Sequence, residues 1–171
     1  MALTLTERAL LAHEMGHVEA LIRFGNVEEV TIMDDGGDHL NIVCLQAIPK
    51  EAQGYAAIAA AFTGLFFRHF ACGGTLAALN CAMRVANGSL ARTGALNDRA
   101  VSDFDRELIA ALPDPDACAA EYDFALTLAS RLAGCPEQLD GIATLLKKNG
   151  QVTFGRCNKT ESCQTQAATL Q

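Results

Sequence analysis

Residues 4–24 form an apolar, helix-like run in which Ala9, Leu10, Ala12, Ala20, Leu21 and Ile22 favour or tolerate a helix. Thr6 reads as its N-cap, with Glu7 and Arg8 in the first turn, and Gly25-Asn26 as its stop. The pattern then changes. Residues 28–33 (EEVTIM) are a short β-rich segment, residues 34–38 (DDGGD) a dense turn signal, and residues 39–45 (HLNIVCL) a second strand. Together they predict a β-hairpin, ended by Pro49. Residues 51–70 return to a strongly apolar helical pattern that Gly73-Gly74 breaks. Further helices are predicted over 75–86, 102–112, 116–132 and 136–148. In the third of these, Phe124, Leu128 and Leu132 share one stripe, and in the last Pro136 stands near the N-terminus. Residues 151–171 are polar and unpatterned apart from 152–154, and disorder is expected from about Arg156 onward. The expected fold is α+β and predominantly helical: a first helix, a short β-hairpin and a helical bundle over residues 1–150, followed by a flexible tail, 151–171.

Composition narrows the function classes. Half of the 171 residues are hydrophobic, enough for a real core in one domain. A formal net charge of -7 leaves no electrostatic footprint for nucleic acid. The longest apolar run, residues 55–67, is too short to span a bilayer, contains Gly64 and is closed by Arg68 and His69, so no membrane partner is expected. The first residues lack the basic and apolar regions of a signal peptide. The seven cysteines are odd in number and irregular in spacing, which fits free thiols in the cytoplasm. Without a C-x-x-C pair, a second metal site at Cys157 and Cys163 is not expected.

Within the first helix, residues 13–17 read His-Glu-Met-Gly-His. Helical spacing puts His13 and His17 on one face, one turn apart, where two imidazoles can grip one zinc ion. Glu14, next to the first ligand, is placed to act as general base on a water at the metal. Gly16, with no side chain, would leave room for a substrate backbone to approach. The competing reading makes the two histidines ordinary half-buried surface residues. His39 reads as a solvent-facing strand histidine and His69 as the polar end of its helix.

A catalytic zinc needs a third protein ligand and an open position for water. The residues after His17 are Val-Glu-Ala-Leu-Ile-Arg, so the H-E-x-x-H-x-x-G-x-x-H continuation is absent and the third ligand must come from far along the chain. Here the sequence resembles the zinc peptidase domain of FtsH-type AAA proteases. Those carry HEAGHA on the first peptidase helix, a K-V-T-I-like strand, a helix close to L-L-G-G-R-A-A-E, and an Asp ligand in an N-D-[LI]-x-x-A context. Residues 12–17 (AHEMGH) match the first element and residues 29–32 (EVTI) the second. Residues 58–65 (IAAAFTGL) match the third loosely, keeping one glycine of the pair as Gly64, and residues 102–106 (SDFDR) match the fourth. The resemblance spans about residues 5–132, and only its first motif is specific.

The resemblance implies an aspartate as third ligand, and two residues compete. Asn97-Asp98 mimics the family's lead-in, but Arg99 stands where the family has an apolar residue. Asp103 is followed by Phe104, Leu108, Ala111 and Leu112, a credible apolar face, while Ser102 and Asp105 form a capping pair. Asp103 is the preferred ligand and Asp98 the alternative. Either can instead be a helix N-terminal carboxylate favoured by the macrodipole.

The expected activity is ATP-independent zinc metallopeptidase chemistry on a peptide or flexible protein, with His13, His17 and Asp103 as ligands and Glu14 as base. The hairpin edge, residues 39–45, is expected to pair with extended substrate. The family's phosphate loop and membrane anchors are not found in this sequence, so such an enzyme cuts flexible segments, or works as a homo-oligomer or with a separate unfoldase. The rival classes are a non-catalytic interaction or regulatory protein on a peptidase scaffold, and a zinc-stabilised structural domain with Cys44, Cys72 or Cys81 as an extra ligand.

Overall fold

The computed structural model describes residues 3–36, 40–77, 79 and 117–156. Helix α1, Leu5–Phe24, begins at a capping box. The Thr4 hydroxyl accepts from the Glu7 N–H at 3.2 Å, and the Glu7 carboxylate accepts from the Thr4 N–H at 2.7 Å. The N-cap is thus Thr4 and not Thr6, because the T-x-x-E spacing from Thr4 to Glu7 satisfies two orphan helix donors at once. The helix ends at Gly25, and Asn26 takes a left-handed backbone (φ 52°) that turns the chain into the sheet.

Strands β1, Glu29–Asp34, and β2, Leu40–Val43, pair antiparallel as the expected hairpin. Helix α2, Lys50–Ala71, starts directly after Pro49. Helix α3, Ala119–Gly134, and helix α4, Glu137–Asn149, follow. Gly150, with φ 71°, closes α4 and hands the chain to strand β3, Gln151–Gly155. The architecture is α+β and predominantly helical, with four helices and one three-stranded antiparallel sheet among the described residues.

The sheet order is β2-β1-β3, so the last strand flanks the first and β1 is central. Residues 151–155 therefore belong to the folded sheet, and the domain runs past the expected boundary at 150. The alternation Val152-Thr153-Phe154 is a period-2 pattern too short to register as a strand until a partner supplies ladder bonds. The Asp34 N–H donates to the Gly150 carbonyl at 2.8 Å, and the Arg156 N–H to the Glu28 carbonyl at 2.8 Å, fixing both ends. Val30 and Ile32 face inward and are fully buried, while the β3 pattern alternates half-buried and exposed. The predicted helices over 75–86 and 102–112 lie largely or wholly outside the described residues, as does the segment after Arg156.

The core is built on α2, which packs against α1 on one side and α3 on the other. Phe62, Phe66 and Phe67 are essentially inaccessible. Phe62 and Phe66 stack with centroids 5.3 Å apart, and Tyr122 of α3 meets both edge-on at 5.6 and 5.0 Å. The predicted stripe Phe124, Leu128 and Leu132 is buried. On α4, Leu139, Ala143 and Leu146 form the inward stripe, and Asp140 takes a two-pronged ion pair from Arg8 of α1 at 3.0 and 2.7 Å. Among the described residues no helix is long and apolar enough to cross a membrane.

Candidate metal centre

One face of α1 carries the motif, and α2 lies against it. His13 and His17 sit side by side with ring centroids 5.0 Å apart and planes at 81°. Both are half-buried, and Glu14, on the adjoining inward face, is only 7% exposed. A carboxylate so placed is unusual: ionisable side chains are rarely buried without a partner.

Burial sets the protonation of all three groups. It pushes the Glu14 carboxyl up to about 7. It lowers His17 to about 4, with the neighbouring His13 adding repulsion against a second positive charge. His13 is lowered chiefly by burial, and a hydrogen bond to the Ala60 backbone of α2 acts the other way. Without a ligand, Glu14 and His17 are therefore both neutral over most of the range between about 4 and 7, and His13 is shifted toward its neutral form as well. Neutral imidazoles keep a lone pair for a metal, and a carboxyl poised near neutrality suits a general base.

Close backbone approach governs how α1 meets α2. A Cβ on Gly16 would lie 2.6 Å from the Ala60 Cα and 3.0 Å from the Thr63 hydroxyl. The expectation that Gly16 leaves room for substrate is thus corrected: the space beside Gly16 is filled by the backbone of α2. Opposite it, a Cβ on Gly64 would lie 3.1 Å from the His13 Cβ and 3.2 Å from the Ala9 carbonyl. Both glycines interrupt helices at a cost of about 1 kcal/mol each relative to alanine, which the approach of the two backbones explains. Sequence reasoning read Gly64 only as a remnant of a family motif, and it missed the Ala60 carbonyl. A glycine inside an otherwise apolar helix was the available signal for the first; nothing in sequence marks a particular backbone carbonyl.

The remaining candidates divide clearly. Asp103 and Asp98 lie outside the described residues, as do His39, Cys81, Cys157 and Cys163. Among the described residues no group of three or more His, Cys, Asp or Glu side chains is gathered as a metal site, so neither Cys44 nor Cys72 joins the histidine pair. Cys44 instead donates weakly to the Glu29 carbonyl at 3.5 Å. The His69 Nε2 lies 2.8 Å from the Thr75 carbonyl oxygen, and its ring packs where a Gly74 side chain would stand, so it fastens the turn after α2. The histidine pair and Glu14 fit a zinc centre by donor chemistry: two neutral imidazoles on one face, one of them steadied by a backbone carbonyl, beside a buried carboxyl. No family model, curated protein or solved structure matches the chain.

Proposed function

We propose that the chain is a zinc-dependent, ATP-independent metallopeptidase of FtsH-like chemistry. The observation that carries this reading is Glu14: a carboxyl 7% exposed, with no ion-pair partner among the described residues, on the same helix as two half-buried imidazoles one helical turn apart. A purely structural role gives no reason to bury an acid there, because a hydrophobic residue would be more stable.

His13, His17 and Asp103 would hold the zinc, with Asp98 the other candidate for the third position. Bound zinc supplies Lewis acidity, which acidifies a water and polarises a peptide carbonyl. Glu14 accepts the proton of the attacking water and returns it to the departing amine. Its raised pKa serves both transfers, since the carboxylate forms readily near neutral pH and its conjugate acid is strong enough to protonate an amine leaving group. The α2 backbone closes the cluster on one side and excludes water there. The substrate is a peptide or flexible protein segment lying extended along β2, a sheet edge with a free ladder side among the described strands. The site belongs to a cytoplasmic enzyme that handles flexible segments alone, as a homo-oligomer or beside a separate unfoldase.

Zinc content, measured by elemental analysis, combined with Glu14→Gln tests this. The variant keeps zinc and loses peptide cleavage by about 10²–10⁴-fold. A wild-type protein that binds zinc but cleaves no unstructured peptide favours a regulatory or structural role, and one that binds no zinc removes the reading.

A further inference from the structure

We infer that Gly64 is a positioning residue for His13: the missing side chain lets α2 come close enough to fix the orientation of that imidazole before any metal arrives. The inference rests on the zinc reading for its functional meaning, but its geometry stands alone. A Cβ at Gly64 would press on the His13 Cβ at 3.1 Å and on the Ala9 carbonyl at 3.2 Å, closer than ordinary van der Waals contact. Across the same seam Gly16 sits against the Ala60 Cα, so each helix offers a glycine where the other brings backbone or the base of a ligand side chain. The neighbouring Thr63 hydroxyl donates to the Ala59 carbonyl at 2.7 Å.

The seam leaves the Ala60 carbonyl as hydrogen-bond acceptor for the His13 ring. An imidazole that gives its one N–H to a carbonyl has its other nitrogen free as a lone pair and its ring plane set. This is the outer support that histidine ligands of metals ordinarily receive, supplied here by main chain. Because it is main chain, no side-chain substitution removes the acceptor; only the distance between the helices controls it. Gly64 sets that distance at His13, and Gly16 sets it one turn further on.

The test compares Gly64→Ala with Gly54→Ala. Both lie on α2, and a Cβ at Gly54 meets nothing within 4 Å, so the second variant gains helix propensity without touching the seam. In metal-free protein labelled at the imidazole nitrogens, wild type and Gly54→Ala show one fixed His13 tautomer with a protected ring N–H. Gly64→Ala shows tautomer averaging and faster exchange of that proton. Zinc affinity, by competition with a chelating dye, falls about 10-fold in Gly64→Ala and stays within two-fold in Gly54→Ala. An unchanged His13 tautomer in Gly64→Ala overturns the inference, as does an equal disturbance in Gly54→Ala. Failure of wild type to bind zinc overturns the peptidase reading instead, and the imidazole comparison still decides the role of Gly64.

Discussion

Where α1 meets α2, backbone approaches backbone: the place of a Gly16 side chain is taken by the Ala60 Cα, 2.6 Å from where its Cβ would stand. In the sheet, by contrast, β1 meets its neighbours through ladder bonds and side-chain pairs, such as the Thr31 and Thr153 hydroxyls 2.9 Å apart on the exposed face. Main-chain contact cannot relax by changing a rotamer, so the helix seam holds its groups to a narrow geometry. Side-chain contact at a solvated sheet face relaxes readily. A metal ligand set needs the first kind of support and a surface that takes up a flexible peptide tolerates the second. The histidine pair lies on the seam, and β2 is an outer strand of the sheet among the described residues.

The comparison breaks most easily at its centre. Phe66→Ala, in the fully buried aromatic cluster of α2, is expected to lower unfolding free energy by about 3–5 kcal/mol in chemical denaturation. Phe154→Ala on the half-buried face of β3 costs less; equal losses would show that the sheet is as tightly packed as the seam.

The next largest effect depends on pH. In the folded, metal-free chain Glu14 is raised from 4.5 to about 7, so its contribution to stability is fully present below 4.5 and is lost as pH rises through 7. His17 is lowered from 6.5 to about 4, so its contribution is present above 6.5 and is lost as pH falls through 4. The two oppose each other between 4.5 and 6.5 and flatten the pH profile there. Glu14→Gln removes only the first. Its stability relative to wild type is expected to grow by on the order of 2–3 kcal/mol between pH 4.5 and 7, read from urea midpoints with a chelator present. Parallel profiles for the two proteins would mean that Glu14 is solvated.

Gly16→Ala follows, with an expected loss of about 1–3 kcal/mol despite the better helix propensity of alanine, measured by the same denaturation. A gain in stability would place the close approach elsewhere. Thr153→Ala is the smallest: removing one hydroxyl of the cross-strand pair costs about 0.2–1 kcal/mol, and a double-mutant cycle with Thr31→Ala checks that the loss is shared.

Much of this was legible beforehand because it is local. The apolar runs marked α1, α2, α3 and α4 to within a few residues, the DDGGD turn marked the hairpin, and His13, Glu14 and His17 were named from their spacing alone. The failures were where a residue's meaning depends on something distant. Thr4 won the N-cap over Thr6 through Glu7. β3 was assigned to a tail because five residues carry too little pattern without the partner strand that pairs Val30 with Phe154 and Ile32 with Val152. Gly16 was read as space because its occupant, Ala60, is 44 positions away in the chain.

The sequence by itself determined which segments are helical, which residues are chemically able to bind metal, and that two imidazoles and a carboxyl share one helix, since each follows from a period of 3.6 or 2 residues. Only the tertiary structure decided what those groups feel. The shift of the three groups toward their neutral forms comes from burial, the setting of His13 from the approach of the Ala60 backbone past Gly64, and the completion of the sheet from a strand more than a hundred residues after its partner. Burial, dielectric and backbone distance are properties of what packs against a residue, and the order of residues along one helix does not contain them.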